Sequence, residues 1–176
     1  MSVENKRREI LLSKGTIDER IEALGKTMTE AYKDKNLLVI SLLKGSFIFT
    51  ADLVRKIDLP VRIEFMTTSS YGHGEESSGH VKIVQDIHVD LSTYDVLVVD
   101  DITDSALTMT GVIGILSERN PKSIKSCVLL DKPSRRKVEY QPDYVGFEIP
   151  DMFIVGYGLN YGDYFRNIDH VFAFVD

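Results

Sequence analysis

At 176 residues and 19.9 kDa the chain has the size of one ordinary domain, and its 43% apolar content is enough for a real core. A net charge of −6 and a pI near 5.2 weigh against nonspecific binding to nucleic acid or an anionic membrane. The sole cysteine, Cys127, excludes an internal disulfide and a cysteine-based zinc site, and in Ser126-Cys-Val-Leu-Leu130 it reads as an inert core thiol.

Met1-Ser-Val-Glu-Asn-Lys-Arg-Arg8 lacks the apolar stretch of a signal peptide, and no segment approaches the roughly 20 apolar residues that span a bilayer. A cytoplasmic chain folding as a single domain over residues 1–176 is expected, with no repeat, linker or low-complexity tract. The first predicted element is a helix, because Ile17, Ile21, Leu24, Met28 and Ala31 recur at spacings of four and three. Thr16 followed by Glu19 has the capping-box pattern for its start. Leu37 to Leu43 is a short apolar run, as in a buried parallel strand. It ends at Lys44-Gly45-Ser46, and Phe47, Ile48, Ala51 and Val54 suggest a helix beyond it. Val61 to Met66 is a second strand, and Thr67 to His80, rich in Ser and Gly, reads as a long mobile loop, of a length that is usually functional or disordered.

Val96 to Val99 is another buried strand, followed by an acidic loop and a helix carrying Met109, Val112, Ile113, Ile115 and Leu116. Strands are expected near Ser123–Leu130, Tyr144–Glu148, Phe153–Val155 and Val171–Val175. Alternating strands and helices predict an α/β fold whose central sheet is mainly parallel and flanked by helices. Ligands of such sheets sit at the carboxyl ends of the strands. Lys44, the Asp100–Asp101 pair and Lys132 all fall at such ends.

The acidic loop runs Asp100-Asp101-Ile102-Thr103-Asp104-Ser105-Ala106-Leu107-Thr108. Backbone N–H groups at the start of the following helix, with the hydroxyls of Ser105, Thr108 and Thr110, suit a phosphate dianion. The Walker pattern of spaced glycines before Lys and Ser/Thr is absent, which argues against a nucleotide triphosphatase. Two acids beside a phosphate would repel it unless hydroxyl donors or Mg2+ intervene, and a ribose phosphate bearing a metal-bound diphosphate supplies both. By spacing alone, an Asp-rich turn that caps a helix fits as well.

This stretch resembles the phosphoribosyl pyrophosphate signature of type I phosphoribosyltransferases: four apolar residues, two acids, two residues, then Asp and a hydroxyl-rich loop. Most relatives have Glu as the first acid and Asp-Thr-Gly or Asp-Ser-Gly in the loop, where this chain has Asp100 and Asp104-Ser105-Ala106. Later blocks are similar to hypoxanthine-guanine phosphoribosyltransferases: Leu42-Leu-Lys-Gly45, Ser70-Tyr71, Leu129-Leu-Asp-Lys-Pro133, Pro142 to Asp151, Val155-Gly-Tyr-Gly158 and Tyr164-Phe-Arg166. The resemblance implies the type I phosphoribosyltransferase fold, with a small hood from the C-terminal segment and a mobile active-site loop over about residues 67–80. It also implies Mg2+ as cofactor, phosphoribosyl pyrophosphate and a 6-oxopurine as substrates, and a homodimer or homotetramer that binds neither nucleic acid nor membrane.

Residue by residue, the resemblance makes Asp104 the proton partner at purine N7, a role that partial burial would favour. Ser105, Ala106, Leu107 and Thr108 would hold the 5′-phosphate, and Asp100 and Asp101 the ribose hydroxyls and Mg2+. Lys132 would donate to the purine 6-oxo group. Phe153 would stack on the base and Ile154 would present backbone to its edge. Lys44 and Gly45, after a cis peptide between Leu43 and Lys44, would bind diphosphate together with Arg166. Ser70 and Tyr71 would open the loop that closes over the reaction. His73 and His80, without ordered acidic or cysteine partners nearby, are not expected to bind metal. The family generally has Asp as a ligand of the second Mg2+ where this chain has Asn160, so weaker binding of this metal or an altered choice of base is expected. The rival expectations are a nucleotide-sensing regulator on the same fold and a xanthine-preferring transferase.

Overall fold

The computed structural model describes residues 6–70 and 81–175. A six-stranded sheet is built from β2 (Leu37–Leu43), β3 (Arg62–Ser70), β4 (Val81–Gln85), β5 (Asp95–Thr103), β6 (Ser123–Asp131) and β7 (Tyr144–Glu148). Its spatial order is β4-β3-β2-β5-β6-β7. All neighbours run parallel except the edge pair β3–β4. The expected mainly parallel α/β sheet is therefore present. The chain leaves β2 toward β3 on one side and later returns through β5 toward β6 and β7 on the other. The order thus reverses between β2 and β5, which opens a crevice at their carboxyl ends.

Helix α1 (Lys14–Ala31) and helix α2 (Phe47–Val54) cover one face, and α3 (Leu107–Ser117) covers the other. Because strand side chains alternate, Leu37, Val39, Leu97, Val99, Cys127 and Leu129 pack under α1 with Ile17, Ile21 and Met28. Leu38, Ile40, Leu42, Val96, Val98 and Val128 face Met109, Val112 and Leu116 of α3. Burial on both faces explains why β2 and β5 read as continuous apolar runs. Cys127 is wholly buried, and that burial pushes its thiol up to about 12, so it is an inert core group as expected. Among the described residues no helix is long and apolar enough to cross a membrane.

Several boundaries differ from expectation. The first element is a strand, β1 (Arg7–Leu12), which pairs antiparallel with β9 (Val171–Val175). Together with β8 (Ile154–Val155) these form a separate three-stranded sheet, so the hood draws on the N-terminus as well as the C-terminal segment. Helix α1 begins earlier than the Thr16 cap. Ser13 is the cap, and its hydroxyl accepts from the Thr16 N–H at 3.2 Å, one turn ahead of the expected pattern. Residues 67–70 are not loop, because β3 continues through Ser70 by pairing with β4. Tyr71, His73 and His80 lie outside the described residues.

Candidate active site

Three strand ends meet at the crevice. At the end of β2 the Leu43–Lys44 peptide is cis, as the resemblance implied. The turn is anchored from below by buried hydroxyls: Ser41 bonds to Ser46 at 2.8 Å and to Thr50 at 2.7 Å, and Ser46 donates to the Leu42 carbonyl. Lys44 itself is exposed and available to an anion. Gly45 is required by its neighbour, since a Cβ there would fall 1.8 Å from Asp101 Oδ2. Gly158 approaches the same turn, where φ is +98° and a Cβ would fall 2.1 Å from the Gly45 carbonyl oxygen. Arg166 Nη1 donates to the Gly158 carbonyl at 2.7 Å. Lys44-Gly45, Asp101 and Arg166 are thus brought together, although they lie more than a hundred residues apart along the chain at the extremes.

The end of β5 carries the acid pair. The Asp101 N–H donates to Asp100 Oδ1 at 2.9 Å, and the Ile102 N–H to Asp101 Oδ1 at 2.7 Å. Burial first, and then the charge of Asp101, pushes Asp100 well above the ordinary carboxylate range. Burial also raises Asp101, against the hydrogen bonds from the Asp100 side chain and the Ile102 N–H and the weaker pull of the Arg166 guanidinium. Asp104 is exposed, and one of its oxygens accepts from the Ser105 N–H at 2.5 Å. Ala106 starts α3 in the left-handed region at φ 65°, ψ 4°, with 3% of its surface exposed. That conformation suits Gly, which accounts physically for the Gly that most relatives have here. Asp100, Ile102, Thr103, Asp104, Ser105, Ala106 and Thr108 share one cleft with Met109, of about 200 Å3. Thr110 does not join it: its hydroxyl donates back to the Ala106 carbonyl at 2.7 Å, so the expected third phosphate hydroxyl is spent within the helix.

At the end of β6, Lys132 is 9% exposed and its Nζ donates to the Met152 carbonyl at 2.6 Å. The next residue, Phe153, is 60% exposed, held edge-on to Tyr161 at 5.7 Å between centroids. A core role for Phe153 is thereby excluded, and its ring is open to a flat ligand. Ile154 is buried in β8 and paired with Ala173 of β9. Asn160 is exposed on the following turn, its amide donating to the Gly162 carbonyl at 2.5 Å. Ser70 ends β3. Among the described residues no three or more His, Cys, Asp or Glu side chains gather closely enough to hold a metal by themselves.

An acid residue and a loop leading into a helix N-terminus line a cleft at the switch point of the sheet, and the buried lysine at the next strand end bonds to that loop through its backbone. Residues 8–162 match the model of the phosphoribosyl transferase domain. The chain belongs to the phosphoribosyltransferase family. This phosphoribosyltransferase is 46% identical over 175 residues to a hypoxanthine-guanine phosphoribosyltransferase of Aquifex aeolicus, covering 99% of this chain and 98% of that one. It is 48% identical to the hypoxanthine phosphoribosyltransferase of Haemophilus influenzae over 166 residues, 93% of either chain. A crystal structure of a hypoxanthine phosphoribosyltransferase from Staphylococcus aureus superposes with a TM-score of 0.93 at 38% identity, over 98% of this chain and 94% of that one.

Sequence reasoning missed several parts of the site. The Ser41–Ser46–Thr50 network looks like ordinary polar residues among apolar ones. Arg136, which bonds to the loop carbonyls, sits in a basic run, Arg135-Arg136-Lys137, that reads as solvated surface.

Proposed function

We propose that this phosphoribosyltransferase moves the 5-phosphoribosyl group from phosphoribosyl pyrophosphate to N9 of hypoxanthine, and of guanine, giving IMP or GMP and pyrophosphate. The hypoxanthine-guanine and hypoxanthine phosphoribosyltransferases at 46% and 48% identity support this reading, which is one of purine salvage. The single observation that carries it is the placement of Lys132, whose ammonium bonds to the Met152 carbonyl one residue before the exposed Phe153 ring and whose backbone N–H is bonded 2.8 Å from the Thr103 carbonyl of the acidic loop. A base reader and a sugar-phosphate loop are thereby joined.

The 5′-phosphate would rest on the N–H and hydroxyl groups of Asp104 to Thr108, at the positive end of α3. The base would stack on Phe153, with Lys132 turning from the Met152 carbonyl to the 6-oxo group. Adenine presents an amino donor there, and an unpaired buried donor costs about 1–3 kcal/mol, roughly a ten- to hundredfold preference. N9 then bonds to C1′ as the bond from C1′ to diphosphate breaks, and the electron pair leaves with diphosphate. Arg166 and the Lys44 turn stabilise the departing charge. Asp104 is the partner for the N7 proton, and because Asp104 is exposed in the chain by itself, the docked base would have to supply its burial.

Mg2+ fits this donor set. The adjacent, half-buried Asp100 and Asp101 lack a full countercharge, and Mg2+ usually binds through one or two carboxylates with water and substrate phosphates. Asp100 and Asp101 would hold one such ion and the Asn160 carbonyl oxygen a second, and the metal would supply charge neutralisation at the diphosphate. A cytoplasmic homodimer or homotetramer completes the reading.

The test is a spectrophotometric assay with phosphoribosyl pyrophosphate and hypoxanthine, guanine, xanthine or adenine in turn. Turnover with the 6-oxopurines is expected, with Asp104→Ala slowing it about 10²–10⁴-fold, the usual worth of a proton-transfer group. Nucleotide binding without turnover of any base would favour a regulator instead.

A further inference from the structure

Three consecutive carbonyls of the acidic loop all accept hydrogen bonds from the segment that follows β6. The Lys132 N–H donates to Thr103 O at 2.8 Å, Arg136 Nη1 to Asp104 O at 3.0 Å, and the Lys137 N–H to Ser105 O at 3.0 Å. Arg136 also reaches Thr103 O at 3.4 Å. Its other two nitrogens are engaged as well, Nη2 by Asp131 Oδ1 at 2.6 Å and Nε by the Tyr140 carbonyl at 2.9 Å. The Asp131 side chain is 2% exposed and that of Arg136 14%. A solvated surface charge is not held in this way. The guanidinium is a rigid fork fixed at every edge.

The peptide plane gives this clamp its consequence. The carbonyl of one residue and the N–H of the next point in opposite directions. Drawing the oxygens of Thr103, Asp104 and Ser105 toward the 132–137 segment turns the N–H groups of Asp104, Ser105 and Ala106 to the other side of the loop. One wall of the loop then carries the N–H groups of Asp104 and Ala106 as outward donors, as an anion site needs, while the Ser105 N–H bonds to the Asp104 carboxylate. The same segment begins with Lys132, so the base reader and the loop share one frame.

We infer that Arg136, locked by Asp131, is a positioning residue that shapes the loop for the 5′-phosphate. This rests on the reading of Asp104–Thr108 as the phosphate site. Lys has a point charge in place of a planar fork, so it cannot hold Asp131, Asp104 O and Tyr140 O together.

Steady-state kinetics on the full chain decide it. Arg136→Lys should raise the KM for phosphoribosyl pyrophosphate about tenfold, as expected for the loss of one charged hydrogen-bonding arrangement, and weaken inhibition by inorganic phosphate in parallel. The KM for hypoxanthine should stay within twofold. Asp131→Asn, which keeps shape and an acceptor but not charge, should move the same constant in the same direction. Thr108→Val serves as the reference for the loop itself. If it raises the phosphoribosyl pyrophosphate KM while Arg136→Lys and Asp131→Asn leave it unchanged, the inference is overturned and the proposed function stands. A fall in thermal midpoint alone, or an equal rise in both KM values, also overturns it, since either marks a general packing role. If Thr108→Val has no effect on either substrate, the loop is not the phosphate site and both readings fail.

Discussion

Two neighbouring strand ends withdraw carboxylates from water and treat them in opposite ways. At the end of β6, Asp131 is 2% exposed and meets the Arg136 guanidinium at 2.6 Å. At the end of β5, half-buried Asp100 and Asp101 lie side by side, and burial together with the charge of Asp101 raises Asp100 well above its ordinary range. The first pair is complete within the chain. The second is half of an interaction, whose other half would be ribose hydroxyls or a divalent cation. The contrast separates scaffold from receptor: a folded chain tolerates an unrelieved charge mainly where a ligand relieves it.

The largest expected effect tests the scaffold side. Asp131→Ala should lower the free energy of unfolding by about 3–5 kcal/mol, the usual cost of stranding one member of a buried ion pair. Urea unfolding at neutral pH measures it. A loss below about 1 kcal/mol, the worth of an exposed pair, would mean that Arg136 relaxes into solvent, and the contrast would collapse.

The receptor side should respond with the opposite sign. Asp100→Asn keeps the shape and removes one of two repelling charges, so stability should rise by about 0.5–2 kcal/mol, as relieving a strained active site commonly does. Catalytic efficiency with phosphoribosyl pyrophosphate should fall in the same variant. A destabilised Asp100→Asn protein would place the acid pair in the scaffold instead.

How far this contrast was legible in the sequence follows from what each region uses as its partner. The acid pair, Lys132, Phe153 and Arg166 are side chains in fixed blocks, so the resemblance found them. The strands Leu37–Leu43, Tyr144–Glu148 and Val171–Val175 were legible to the residue, and in the first and last of them sheet burial accounts for the apolar run. By contrast β1 reads Arg-Arg-Glu-Ile-Leu-Leu and is largely exposed, and β4 is a half-exposed edge. An edge strand is specified by the backbone it pairs with, and its side chains carry little of that pattern. The Arg136 clamp was hidden for the same reason, since most of its acceptors are carbonyls. Ala106 could be read as small, but its positive φ could not.

Asn160 sharpens the receptor side at smaller magnitude. It is exposed, and its amide is committed to the Gly162 carbonyl. Asn160→Asp would add a negative charge at the metal, and a Coulomb attraction of about 1 kcal/mol across water corresponds to roughly fivefold. Titrating Mg2+ in the transferase assay should show half-saturation at about fivefold lower concentration. Unchanged metal dependence together with unchanged base preference would remove Asn160 from the metal argument.

The smallest effect supplies the control, a carboxylate paired at the surface. Asp86 accepts from Arg119 Nη1 at 2.9 Å and Nη2 at 2.7 Å, with side chains 36% and 29% exposed. The Arg119 hydrogen bonds hold Asp86 below the usual carboxylate range, helped by the Ile87 N–H. A carboxylate lowered on folding contributes stability that is present above its unfolded value, about 3.9, and is lost as pH falls through the folded value. Solvent screening limits the contribution to about 0.2–1 kcal/mol. Wild type and Asp86→Asn should therefore differ by that much in urea at neutral pH and converge in acid, and the gap should shrink in 1 M salt, where the Debye length is about 3 Å. A gap that persists in acid would assign the loss to packing. An Asp86 effect as large as that of Asp131→Ala would show that burial is not what distinguishes the two ion pairs, and the division between scaffold and receptor would need another cause.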